Sequence, residues 1–137
     1  MIALRVLALS AFSATCIAAP PVDYTFFKER VQPIFLQKRP GHARCVTCHS
    51  HGSPPLQPLV QGASSWTDDQ SRANFAMWKQ FVVPGDPLKS PLLLHPLAVK
   101  AGGDHFHAGG KHWQSQNDPE WQILAAWVNG KTIGGSK

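Results

Sequence analysis

Cys45-Val46-Thr47-Cys48-His49 gathers two thiols and an imidazole within five positions. Two cysteines at this spacing can add to the two vinyl groups on one edge of a porphyrin, and the histidine that follows is carried under the ring, where an imidazole nitrogen reaches the iron. The pattern is the attachment signal of a c-type haem. Two other chemistries use overlapping residues. A zinc site would need four ligands, here Cys45, Cys48 and two histidines, because Cys16 is the only other cysteine. A thioredoxin-like dithiol would need a strand–helix–strand setting, and no strong strand pattern lies nearby.

The N-terminus supports haem. One basic residue, Arg5, precedes an apolar run from Val6 to Ala19 that ends in small residues. This is the pattern of a secretory signal peptide, residues 1–19, cut after Ala18 or Ala19. The run is too short for a comfortable membrane span. The alternatives are an uncleaved anchor or a lipid-modified Cys16, although Ser13-Ala14-Thr15 lacks the large aliphatic that a lipid signal favours. Haem is attached to c-type apoproteins outside the bacterial cytoplasm, so a periplasmic or otherwise exported protein is expected, with no stable membrane insertion after cleavage. The exported chain keeps only Cys45 and Cys48, for which thioethers are favoured over a disulfide that closes so small a loop.

The remaining residues, 20–137, make one domain of about 118 residues. The formal charge of +5 falls to about +4 without Arg5, and two haem propionates would lower it to about +2. The basic residues are scattered, which argues against nucleic acid binding. A mildly basic face can steer an acidic redox partner.

The elements around the motif read as helices and loops. Asp23 caps a helix through Phe26, Phe27, Val31, Ile34 and Phe35, which Pro33 should kink or restart. Residues 52–65 form a proline-, glycine- and serine-rich loop expected to pack over the haem. Asp68-Asp69 is expected to cap a helix from Gln70 to Phe81 whose apolar residues are Ala73, Phe75, Ala76, Met77 and Trp78. After the Val83–Pro87 turn, Ser90-Pro91 starts a short helix through Leu94. Residues 101–116 form a loop with four glycines and three histidines. Asp118-Pro119-Glu120 opens a last helix through Trp121, Leu124, Trp127 and Val128 that ends near Asn129-Gly130. No repeat and no second haem motif occur.

This order resembles class I monohaem c-type cytochromes. The stretches from Val31-Gln32-Pro33-Ile34 to Cys48-His49 and from Val83 to Ser90 are especially similar to the small cytochrome domains of planctomycete-type multidomain proteins. The resemblance implies an all-α, loop-rich fold whose first and last helices cross beside one covalently bound haem c and its iron. It also implies a methionine before the last helix as second axial ligand. This chain departs there, with Phe106-His107-Ala108-Gly109-Gly110 and no methionine.

The sixth ligand is therefore open. Apart from Met1 the only methionine is Met77, which sits in a helical pattern and reads as core filler. His42 and His51 lie too near the attachment site to reach the opposite face. His105, His107 and His112 lie in the loop where the resemblance expects a ligand, and His95 precedes it. His107 is favoured, since Gly109-Gly110 would let the backbone approach the ring. His112, His105, His95 and Met77 follow. With His49 and His107 on the iron, the expected function is electron transfer between unidentified redox partner proteins, not enzymatic catalysis. The alternatives are a haem enzyme or gas sensor with an open iron, and an electron-entry subunit of a larger complex with Trp66, Trp78 and Trp113 at its interface.

Overall fold

The computed structural model describes residues 18–134. The expected signal peptide lies outside the described residues except for Ala18 and Ala19. The described chain is all-helical, with no strand and one isolated bridge between Leu97 and Trp113. No described helix is long and apolar enough to cross a membrane.

The first helix begins where the Asp23 carboxylate accepts the N–H of Phe26 at 2.6 Å. It runs through Tyr24–Phe26, a π-helical turn at Phe27–Val31 and Gln32–Leu36. The expected restart is seen: a new α segment begins at Gln32 with Pro33 in its first turn, directly after the wider turn in which Gln32 N–H reaches Phe27 O. Proline supplies no N–H and crowds the carbonyl four residues earlier, and the five-residue register relieves that crowding without breaking the rod.

The middle helix, Asp68–Trp78, continues as a 3-10 turn at Lys79–Phe81. Its cap is Thr67, not Asp68. The Thr67 hydroxyl accepts the Gln70 N–H while the Gln70 side chain reaches back to the Thr67 N–H. Asp68 and Asp69 instead occupy the first turn, where the helix dipole favours acids. The buried face also differs from the apolar reading. It consists of Ser71, Asn74 and Trp78, while Ala73 and Ala76 are exposed. Both buried polar residues bond across the fold: Gln32 Nε2 donates to Ser71 Oγ at 2.9 Å, and Asn74 Oδ1 accepts Gln57 N–H at 2.7 Å. Ser90, expected as a cap for Pro91–Leu94, is fully buried and turned backward. Its hydroxyl accepts from Val83 N–H and donates to Asp86 O.

The last helix, Pro119–Val128, is capped by Asp118 and buries Trp121, Leu124, Ala125, Trp127 and Val128. Trp127 packs 5.2 Å, centroid to centroid, from Phe27 of the first helix. Phe27 also meets Phe35 and Phe75, so the three longer helices share one aromatic core. At the surface, Asp68 joins Tyr24, Lys28 and Arg72 and ties the middle helix to the first.

Candidate functional site

Cys45–His49 forms a single helical turn. Its exit is fixed by Leu56, which is buried and donates its N–H to His49 O at 2.7 Å. The 52–65 loop is anchored further by the indoles of Trp78 and Trp66, which donate to Pro55 O and Gln57 O. Cys45, Cys48 and His49 border a cavity of about 470 Å³ that also touches Phe35, Trp78, Leu92, His95, His107, His112 and Trp113. This falls within the size range of small-molecule and cofactor sites. Cys45 is half-buried and Cys48 exposed, and the two are not bridged. Burial pushes the Cys45 thiol up, against the pull of the Arg39 guanidinium beside it.

The opposite wall is the 98–112 loop. Its two ends are clasped where Ala98 N–H donates to Trp113 O at 2.8 Å and Trp113 N–H to Pro96 O at 3.2 Å. Inside it, Asp104 binds His95 Nδ1 at 2.7 Å and caps Phe106 N–H, while Lys111 donates to the His95 and Asp104 carbonyls. These bonds give a glycine-rich segment a fixed shape and bring His107 to the cavity.

His49 and His107 lie 6.5 Å apart, centroid to centroid, with their planes 14° from parallel. His49 Nδ1 meets Pro54 O at 2.7 Å, and His107 Nδ1 meets Gly110 O at 2.5 Å. A carbonyl only accepts, so each Nδ1 carries the hydrogen. Each Nε2 keeps its lone pair and has no protein partner among the described residues. This is how metal-binding imidazoles are held by an outer shell. Two metal–nitrogen bonds of about 2.0–2.1 Å, with roughly 1.1 Å from each ring centre to its nitrogen, put coordinating imidazoles about 6.3 Å apart. The observed spacing fits one metal between the rings. Trp78 buttresses His49 edge-on at 5.0 Å. Burial lowers the affinity of His107 for protons, so its ring stays neutral and able to donate.

The other candidates are placed differently. His112 borders the cavity 5.5 Å from His107 and lies against His42 at 4.5 Å, with the two rings tilted by 37°. Its Nδ1 is buried without a partner, and burial, followed by the nearby His42, drives its pKa down to about 4. His95 borders the cavity with its Nδ1 committed to Asp104. His105 and His51 are exposed and away from the cavity wall. Met77 packs half-buried against the core and does not line the cavity. Among the described residues no three His, Cys, Asp or Glu side chains converge. Trp66, Trp78 and Trp113 are all buried, which rules them out as an exposed interface.

The two glycines expected to bring the backbone near the ring also serve His107. A Cβ on Gly109 would press on the His107 ring at 3.0 Å, so this glycine makes room for the imidazole itself. Gly110 has φ +82°, a left-handed conformation that delivers its carbonyl to His107 Nδ1. Sequence reasoning passed over Arg39, which is only 8% exposed and reaches Cys45, Trp113 and Glu120. An arginine in a loop carries no sign that it will be buried. No protein-family model, curated protein or solved structure matches the chain.

Proposed function

We propose that this protein is an exported electron-transfer protein with a cytochrome c-like fold, carrying one c-type haem. Cys45 and Cys48 would hold the group through thioethers, and His49 and His107 would bind its iron. The observation that carries the reading is the pair of near-parallel imidazoles, 6.5 Å apart between ring centres, His49 beside both cysteines and His107 on the facing loop of the same cavity.

When bound, haem supplies a one-electron iron couple. The chain orients it. Pro54 and Gly110 carbonyls hold the two imidazoles in one tautomer, and Trp78 fixes the His49 ring plane. Phe35, Leu92 and Trp113 give the cavity apolar walls that limit water near the iron. Filling both axial positions leaves no coordination site for a substrate, which favours electron transfer over oxygen or peroxide chemistry. Redox partner proteins serve as donor and acceptor.

Denaturing electrophoresis followed by a haem-peroxidase stain tests covalent attachment. A stained band is expected, and a colourless band from haem-competent cells would end the proposal. The reduced spectrum should be low-spin and indifferent to carbon monoxide. Rapid carbon monoxide binding would instead favour an open-iron enzyme or sensor.

A further inference from the structure

We propose that the Arg39–Glu120 ion pair, buried at its arginine and half-buried at its glutamate, sets the redox potential of the site through the Cys45 edge of the haem, an inference that rests on the haem reading above. Arginine is seldom this buried unless it is paired. Arg39 Nε donates to Glu120 Oε2 at 2.6 Å, with Nη2 against the same oxygen. Its other contacts are the carbonyls of Ile34 and Gln37, the Cys45 sulfur at 3.9 Å and the Trp113 ring, with 5.8 Å from guanidinium carbon to ring centre. Trp113 in turn donates its indole N–H to Glu120 Oε2 at 3.1 Å. The pair thus joins the end of the first helix, the start of the last helix, one thioether position and one cavity wall.

Position makes this more than a structural tie. Ferric haem carries one more positive charge than ferrous haem. A nearby cation therefore favours the reduced state and a nearby anion the oxidised state, most strongly where water is scarce. Arg39 and Glu120 push in opposite senses, and the iron feels their difference. Arg39 acts through Cys45 and Trp113 and is a positioning residue, not a ligand.

The sign of the response separates this role from a purely structural one. Loosening the wall admits water and moves the potential in one direction whichever partner is lost. Removing charge at the two ends moves it in opposite directions. Optical redox titrations of the haem-bearing parent, Glu120→Gln and Arg39→Gln should give a midpoint raised in the first variant and lowered in the second. Arg39→Lys, which keeps the charge but not the fork, should lie closer to the parent than Arg39→Gln. If Arg39→Gln yields no holoprotein, Glu120→Gln alone decides: a rise supports the inference, and no change or a fall overturns it. Shifts of the same sign in both glutamine variants also overturn it. A parent without covalent haem fails the functional reading itself and the inference with it, whereas a haem-bearing parent with unsplit potentials fails the inference alone.

Discussion

The indole N–H of Trp127 donates to the backbone carbonyl of Asp23 at 2.8 Å, joining the end of the last helix to the cap of the first. Trp127 is fully buried and packs against Phe27 and Phe75. Trp127→Ala should therefore cost about 3–5 kcal/mol, and Trp127→Phe much less, because Asp23 O keeps the Phe27 N–H as a second donor. Urea unfolding of the three proteins measures this. An alanine variant as stable as the parent would refute the helix contact.

His107→Ala should open the iron. The reduced holoprotein should then bind carbon monoxide, and the oxidised spectrum should become high-spin. His95→Ala and His112→Ala should keep the low-spin spectrum, because the ring that lies near-parallel to His49 across the cavity is that of His107. Carbon monoxide binding in either of these variants, with none in His107→Ala, would move the ligand to that residue.

Gly103→Ala should disturb the same loop from a distance. A Cβ there would overlap the Leu97 carbonyl and sit 2.9 Å from Leu94 O, both backbone atoms that cannot swing aside. Overpacking of this kind costs about 1–3 kcal/mol. The loop can relieve it only by shifting the segment that carries His107. A lower melting temperature together with partial high-spin character is expected, and an unchanged spectrum would show that the two ends of the loop move independently.

Asp68 should make the junction of first and middle helices acid-sensitive. Lys28 first, then Tyr24 and Arg72, hold its carboxyl at about 2 against an ordinary 3.8. A depressed carboxylate adds stability that is fully present above 3.8 and is lost as pH falls through about 2. Asp68→Asn should flatten the stability–pH curve across that window by lowering the stability at neutral pH slightly, so that parent and variant converge as pH approaches 2. Denaturant midpoints from pH 5 down to pH 2 provide the check; a variant that keeps the parent's slope would assign the acid response elsewhere.

Much of this organisation was legible in the chain. Cys45, Cys48 and His49 declare their chemistry by spacing, and Asp23 and Asp118 declare helix starts by residue type. Short-range rules faltered where a side chain had two possible partners. Thr67 outcompeted Asp68 as a cap because Gln70 lies at the right offset to reciprocate. Ser90 abandoned its own helix for Val83 and Asp86. Ser71 and Asn74 face inward, where Gln32 Nε2 donates to Ser71 Oγ and Gln57 N–H to Asn74 Oδ1 from distant points of the sequence. Composition gives no sign of such pairings, since they depend on how helices approach one another. His107 was reachable only through its loop, and the carbonyl that orients its ring became evident only with the backbone turn at Gly110.

The placement of the indoles has an optical consequence. Trp78 and Trp113 border the cavity, and Trp66, Trp121 and Trp127 belong to the same core. Haem absorbs where indole emits, so under the proposed function filling the cavity would quench tryptophans packed on and behind its wall. The chain would then carry a built-in fluorescence gauge of its own occupancy: bright without haem, dark with it, and bright again as unfolding separates the helices.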